Sequence, residues 1–312
     1  MSDSFSGKVR KELLKVLPDA RNMQLAELDA FLLFCGKIRK TDAGAALRVR
    51  SENEGLLRKC FTILSRAFTL GNADIVFGTG SLEILPPVSE KILMAVKWES
   101  GGHFCARDTA DRRLLTESGS RRAFIRGCFL TCGSITDPSR FYHCEFACPT
   151  GELADQIAGL LPAFGIEAHT VVRKKQHVVY IKEGNQISDL LKVMEAEEAI
   201  LAFENVRVIK DVRNRVNRRV NCETANLYKT SAAAAVQLRD IDRIRETAGL
   251  SSLPPNLAEA AAARLENPDA SLTELGEMMN PPLGKSGMNH RFRKIHEIAE
   301  QTMFQQEGFL DD

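Results

Sequence analysis

Apolar residues along the chain follow two alternating rhythms, and the alternation itself repeats. Over about 24–35, and again over about 121–132, apolar positions recur at helical spacing. Each run stops at the same dipeptide, Cys35-Gly36 in "AFLLFCGKI" and Cys132-Gly133 in "GCFLTCGSI". Setting Gly36 on Gly133 fixes an offset of 97 residues, and the patterns downstream then run in parallel. Two strand-like pieces follow each glycine: "KIR" and "ALRVR" in the first copy, "SIT" and "FYHCEFAC" in the second, where Tyr142, Cys144, Phe146 and Cys148 share a face. Next comes an amphipathic helix, about 53–69 with Leu56, Leu57, Cys60 and Leu64, and about 150–163 with Leu153, Ile157, Leu160 and Leu161. A hairpin comes after it, "ADIVFGTGSLEIL" and then "EAHTVVRKKQHVVYIK" turning at Lys174-Lys175, and a helix closes each copy at about 87–98 and 186–195. The order αββαββα is written twice, with the glycine after each first helix expected to stop it in the left-handed conformation.

Beyond residue 200 the strand rhythm disappears. The stretch 204–247 holds no Pro or Gly, and Val208, Val212, Val216 and Val220 mark one apolar helical face. Gly249 and "LPP" at 253–255 end it, and three short helices are expected at about 256–265, 272–279 and 286–299. Ser271 and Glu274 form a capping box that starts the second, and "NPPLG" at 280–284 ends it. In the third, Met288, Phe292 and Ile295 make a buried stripe, which reads as helix-turn-helix. The resulting layout is an N-terminal helix within 1–22, a duplicated domain over 23–200, a basic helical linker over 201–250, a helix-turn-helix domain over 251–304 and a tail over 305–312.

Charge sharpens this picture. The 312 residues carry a net charge of +1, but "NVRVIKDVRNRVNRR" at 205–219 holds six basic residues against Asp211 alone. Lys285, Arg291, Arg293 and Lys294 stand with His290 and His296 in a segment, 278–296, that has no acid after Met278. Such asymmetry in a nearly neutral chain points to an anionic partner met by the C-terminal third. On the third helix, Ser286, Asn289 and His290 are placed for base edges, with Gly287 beside them, while Lys285, Arg291, Arg293 and Lys294 position phosphates. The capping Ser271 belongs to the same surface. Arg207, Lys210, Arg213, Asn214, Asn217, Arg218 and Arg219 offer a second phosphate-donating face; the plainer alternative is a solvated connector packing on its Val stripe. A small three-helix module also has a protein-binding alternative.

Hydrophobic residues at 44% and charged residues at 27% describe a chain that folds over most of its length. No apolar run is long enough to span a bilayer and the N-terminal residues lack a signal-peptide core, so a cytoplasmic, nucleoid-associated location is expected. The eight cysteines are expected as reduced thiols, with Cys128, Cys132, Cys144 and Cys148 packed in the core. Zinc at Cys128, Cys132, Cys144 and Cys148 is disfavoured because the loop-borne C-x2-C spacing is missing. No phosphate-cradling glycine loop and no Ser-His-Asp set can be argued, so neither cofactor, metal nor small-molecule substrate is expected, and the chain is read as a monomer.

The duplicated order and its helix endings resemble the LAGLIDADG homing-endonuclease fold over roughly 20–200, in which two such units pack their motif helices at a pseudo-two-fold axis. The resemblance implies a metal-holding acid where Cys35 and Cys132 stand. A thiol is a poor ligand for magnesium, so the seam is expected without the chemistry. The alternative is that the small residues simply let two helices approach. Over its whole length the chain resembles the WhiA family, through "SFSGKVRKELLK" at 4–15, "AFIRGCFLTCGSITDP" at 123–138, "YHCEF" at 142–146, "FENVRVIKDVRNRVNRRVNCETANLYKT" at 203–230 and "SLTELGEMMNPPLGKSGMNHRFRKI" at 271–295. The resemblance implies an α+β architecture: a degenerate, duplicated LAGLIDADG-like domain, a helical linker, and an all-α helix-turn-helix domain similar to the promoter-reading part of sigma factors. It further implies a non-catalytic regulator of sporulation, or of cell division and chromosome segregation, in Gram-positive bacteria. Double-stranded DNA and proteins of the transcription machinery are the implied partners. A nucleoid-structural or protein-interaction role, or a nuclease, are the alternatives. The first motif helix, "LAELDAFLLFCGKI", diverges from the second.

Overall fold

A computed structural model describes residues 4–174 and 176–307, with side chains followed to residue 301. Residues 1–3 of the expected N-terminal helix, Lys175 at the expected hairpin turn and tail residues 308–312 lie outside the described residues. The chain divides into two compact units between Asp211 and Val212.

The first unit opens with α1 (Phe5–Leu13), whose N-cap Ser4 accepts from Gly7 N at 3.1 Å. The first copy follows: α2 (Arg21–Cys35), β1 (Gly36–Thr41), β2 (Gly44–Arg50), α3 (Glu54–Ala67), β3 (Ile75–Gly78), β4 (Ser81–Ile84) and α4 (Val88–Ala95). A small hairpin, β5 (Glu99–Ser100) and β6 (His103–Phe104), leads on to the second copy. That copy comprises α5 (Ser118–Cys132), β7 (Gly133–Ile135), β8 (Cys144–Cys148), α6 (Gly151–Leu160), β9 (His169–Arg173), β10 (Gln176–Ile181) and α7 (Gly184–Met194). The two sheets have the same antiparallel order, β1-β2-β4-β3 and β7-β8-β10-β9. A shared strand order, with the motif helices 97 residues apart, carries the duplication further than a shared dipeptide could.

Local chemistry explains the elements. Asn53 caps α3 by accepting from Gly55 N and Leu56 N, and Leu56, Cys60, Ile63, Leu64 and Ala67 then bury one helical face. Along β8, Cys144, Phe146 and Cys148 alternate into the core and Glu145 faces out. Tyr142 belongs to the approach to that strand rather than to the strand itself.

The two Cys-Gly endings differ from expectation. Gly36 (φ −86°, ψ 144°) and Gly133 (φ −80°, ψ 149°) are extended, because each motif helix runs straight into a strand without a left-handed residue between them. Glycine is needed there for space. A β-carbon at 36 would lie 2.6 Å from the Leu32 carbonyl oxygen, and one at 133 would lie 2.2 Å from the Phe129 ring. Where the helices α2 and α5 meet, a β-carbon at Gly127 would come within 2.7 Å of the Ala30 methyl, so small residues do bring them close.

Polar groups buried at this seam are satisfied mainly by each other. Glu27 accepts from Lys59 and Arg126, and Arg126 also reaches Glu195 at 2.6 Å. Burial lowers Lys59 to about 8 against the upward pull of Glu27. Asp29, wholly buried, accepts from Trp98 Nε1 at 2.7 Å with Oδ1 and has no partner for Oδ2. Burial raises its carboxyl to about 8, with the Trp98 hydrogen bond opposing in part.

Helix α8 (Glu197–Thr247) runs across the boundary between the units. Its Val stripe does not pack: Val208, Val212, Val216 and Val220 are 45–60% exposed, and every residue from 211 to 229 is exposed. Four-residue steps drift by about 40° each around an α-helix, so these valines spread over a wide arc instead of forming one narrow seam. Among the described residues no helix is long and apolar enough to cross a membrane.

Candidate nucleic-acid interface

The second unit packs the end of α8 against α9 (Pro255–Glu266), α10 (Leu272–Glu277) and α11 (Lys285–Glu307). Its core is Ile241 and Ile244 of α8, Leu257, Ala260 and Ala261 of α9, Leu275 of α10, and Met288, Phe292, Ile295 and Ala299 of α11. Pro255 sits at the first position of α9, where its missing N–H costs nothing. Both halves of the capping box form: Ser271 Oγ accepts from Glu274 N at 3.3 Å, and Glu274 Oε2 accepts from Ser271 N at 2.7 Å.

The turn between α10 and α11 depends on Gly276. Leu283 N donates to the Gly276 carbonyl at 2.8 Å, and a β-carbon on Gly276 would stand 2.0 Å from the Leu283 carbonyl oxygen. Chain 280–284 can fold back across α10 only over a glycine. Glu259 fixes the same turn from below, accepting from Asn280 N at 3.2 Å and from Arg291 Nη1 at 2.9 Å, contacts that hold its carboxyl below the usual carboxylate range. Helix α11 is tied to α8 by His296 Nδ1 with Asp240 Oδ2 at 2.9 Å.

With Met288, Phe292, Ile295 and Ala299 buried, α11 turns Ser286, Asn289, His290 and Arg293 outward at spacings of three, one and three. These positions form one exposed strip along the first two turns. Lys285 and Lys294 are exposed on its flanks, while Gly287 is half-buried, and a β-carbon there would come within 2.9 Å of the Leu283 side chain. Arg291 does not join them: its guanidinium is held by Glu259 and the Met279 sulfur, and it serves the fold of the turn. The absence of acid ends one residue past the segment. Glu297 accepts from Lys294 Nζ at 2.8 Å and pairs with Arg293 Nε at 3.4 Å, which holds its carboxyl low.

The residues of α8 divide in the same way. Arg207 binds Glu204 and Asn185, and Lys210 donates to the Pro138 and Arg140 carbonyls with its ammonium 4.7 Å from the centre of the Tyr142 ring. Both are anchors of the first unit, since their donors are spent on the protein. Arg213, Asn214, Asn217, Arg218 and Arg219 lie on the exposed stretch; Arg218 bonds the Asn214 carbonyl and Arg219 pairs with Glu223.

Cys35 and Cys132 are half-buried at the ends of α2 and α5, and burial pushes both thiols up. The two acids in α2 ahead of Cys35, Glu27 and Asp29, are engaged by Lys59 and Arg126 and by Trp98. Among the described residues no cluster of three His, Cys, Asp or Glu side chains could hold a metal.

One residue of this unit gives no signal in the sequence. Arg264, an ordinary basic residue in an Ala-rich helix, is 1% exposed and donates to Gln237 Oε1 and to the carbonyls of Asn267, Pro268 and Ala270, fixing the loop that leads into α10. Its guanidinium also lies 5.5 Å from the centre of the Phe292 ring.

Comparison with known proteins agrees with this geometry. Residues 121–213 match the WhiA LAGLIDADG-like domain, which is the second copy and the start of α8, and residues 216–299 match the WhiA C-terminal HTH domain. The chain is 42% identical over 308 residues to a probable cell division protein WhiA of Lachnospira eligens, covering 96% of this chain and 97% of that one. It is 40% identical over 309 residues to the protein of the same name from Lachnoclostridium phytofermentans, covering 95% and 98%. Its fold is similar to the crystal structure of full-length DUF199/WhiA from Thermatoga maritima, with a TM-score of 0.54 at 22% identity over 96% of this chain and 99% of that one.

Proposed function

This chain belongs to the WhiA family, and on that premise we propose that it is a non-catalytic, sequence-specific DNA-binding protein. It acts as a monomer on duplex DNA in the cytoplasm, as a transcriptional regulator in cell division, chromosome segregation or sporulation, alongside proteins of the transcription machinery. The observation that carries the reading is the strip Ser286, Asn289, His290 and Arg293, presented by a helix whose opposite face is locked into a three-helix core. A short polar residue and an amide near the start of α11 suit base edges in the major groove, and the cation one turn on suits the backbone. The non-catalytic part is supported by the seam: thiols stand at the two positions the endonuclease resemblance gives to metal-holding acids, and Glu27, further back in α2, is neutralised by Lys59 and Arg126.

A second reading has its own observation. The exposed basic stretch 211–229 of α8 could serve sequence-independent binding, as a nucleoid-structural protein needs. Selection of bound duplexes from a random pool by the purified full chain distinguishes the two. An enriched motif of defined length is expected; recovery of an unchanged pool would refute sequence choice and leave the second reading.

A further inference from the structure

In the second unit a cavity of about 230 Å³ opens where four helices converge: Lys229 and Thr230 come from α8, Arg264 from α9, Thr273 from α10, and Lys285 begins α11. Three cations line it, and no carboxylate does. Lys229 and Lys285 make no ion pair among the described residues. Arg264 is the most buried of the three and the most demanding, because a guanidinium taken out of water is costly unless an anion matches it. Its hydrogen bonds go only to neutral oxygens, the Gln237 amide at 3.1 Å and the carbonyls of Asn267, Pro268 and Ala270. Asp269 lies near enough to act on it through space but forms no ion pair with it. Its Nη2 donates to no protein group among the described residues. The chain therefore builds a concave site lined by three cations and places no carboxylate in that lining.

We propose that this cavity is a phosphate site that takes one backbone phosphate of the DNA lying along α11, with Lys229 of the linker helix as its outer clamp and Arg264 as its floor. The proposal rests on the DNA-binding reading above. At about 30 Å³ per water, the volume admits one tetrahedral oxyanion with part of its hydration shell. It makes α8 a part of the DNA-binding surface, at a residue outside the basic run 205–219.

The test uses the full chain with Lys229→Gln and Lys285→Gln, both exposed positions whose loss leaves the core intact. Binding is followed by fluorescence anisotropy on a selected duplex and a scrambled one, from 50 to 200 mM salt. Lys229→Gln should weaken both duplexes alike and lower the salt slope by about 0.9, so that its deficit shrinks about threefold across that range. In parallel, inorganic phosphate should raise the melting temperature of the wild type more than chloride at equal ionic strength, and not that of the double variant. An unchanged salt slope in Lys229→Gln overturns the proposal. If phosphate still stabilises the wild type in that case, the cavity serves free phosphate instead of DNA. If the wild type binds neither duplex, the DNA-binding reading itself fails, and the phosphate arm alone reports on the cavity.

Discussion

Asp29→Asn tests whether the motif-helix seam is structural core. In the folded chain burial raises the Asp29 carboxyl from 3.8 to about 8, so between those pH values the folded state holds a proton that the unfolded state has released. Stability from this group is complete below about pH 4 and is lost as the pH rises through about 8. A displacement of about four units at about 1.4 kcal/mol each sets a ceiling of about 6 kcal/mol, and water entering around the ionised carboxylate will reduce it. Asparagine keeps an oxygen for Trp98 Nε1 and does not titrate. The difference in stability between the two proteins should therefore swing toward the variant as the pH rises, by several kcal/mol, or on the order of ten degrees in melting temperature for a unit of this size. Comparing the two proteins cancels groups common to both, including Lys59, whose own shift lies at and above about 8. Melting measured from pH 5 to 9 for both is the assay. Parallel curves would show that Asp29 is not a buried, neutral acid, and the reading of the seam as sealed core would fall.

Two further outcomes follow from the same geometry. Cys35→Asp with Cys132→Asp should leave plasmid uncut in magnesium, because Glu27 and Asp29 are already committed and the new carboxylates enter half-buried sites; metal-dependent nicking above the wild-type background would refute this. Glu297→Gln should free Arg293 and Lys294 and tighten binding to any duplex by a few-fold at 50 mM salt, with the gain fading at 200 mM; equal or weaker binding would mean that the pairing does not hold those cations back.

Much of this molecule is legible in its sequence because periodicity reports which face is buried. The duplicated αββαββα order, the capping box at Ser271 and the stripe Met288, Phe292 and Ile295 all follow from local spacing. What local spacing cannot carry is the partner across the fold. Gly36 and Gly133 read as helix stops, yet their role is clearance over Leu32 and Phe129. The Val stripe on α8 reads as a packing face, yet nothing in its own sequence supplies the opposite surface. Arg207, Lys210 and Arg291 read as free cations, and each is spent on residues distant in the chain: Asn185, Pro138 and Glu259. Arg264 reads as solvent-facing and is buried. The exposed strip on α11 was legible; which neighbouring cations remain available to an anion was not.

Whether α11 reads bases near its start and holds the backbone one turn further on is decided by competition binding of Asn289→Ala and Arg293→Ala on selected and scrambled duplexes at two salt concentrations. Loss of the Asn289 amide should cost about 1–3 kcal/mol on the selected duplex alone. Loss of Arg293 should weaken both duplexes alike and flatten the salt slope by about 0.9, one phosphate contact. If both variants lose affinity in the same proportion on both duplexes, the division of roles along this helix is contradicted.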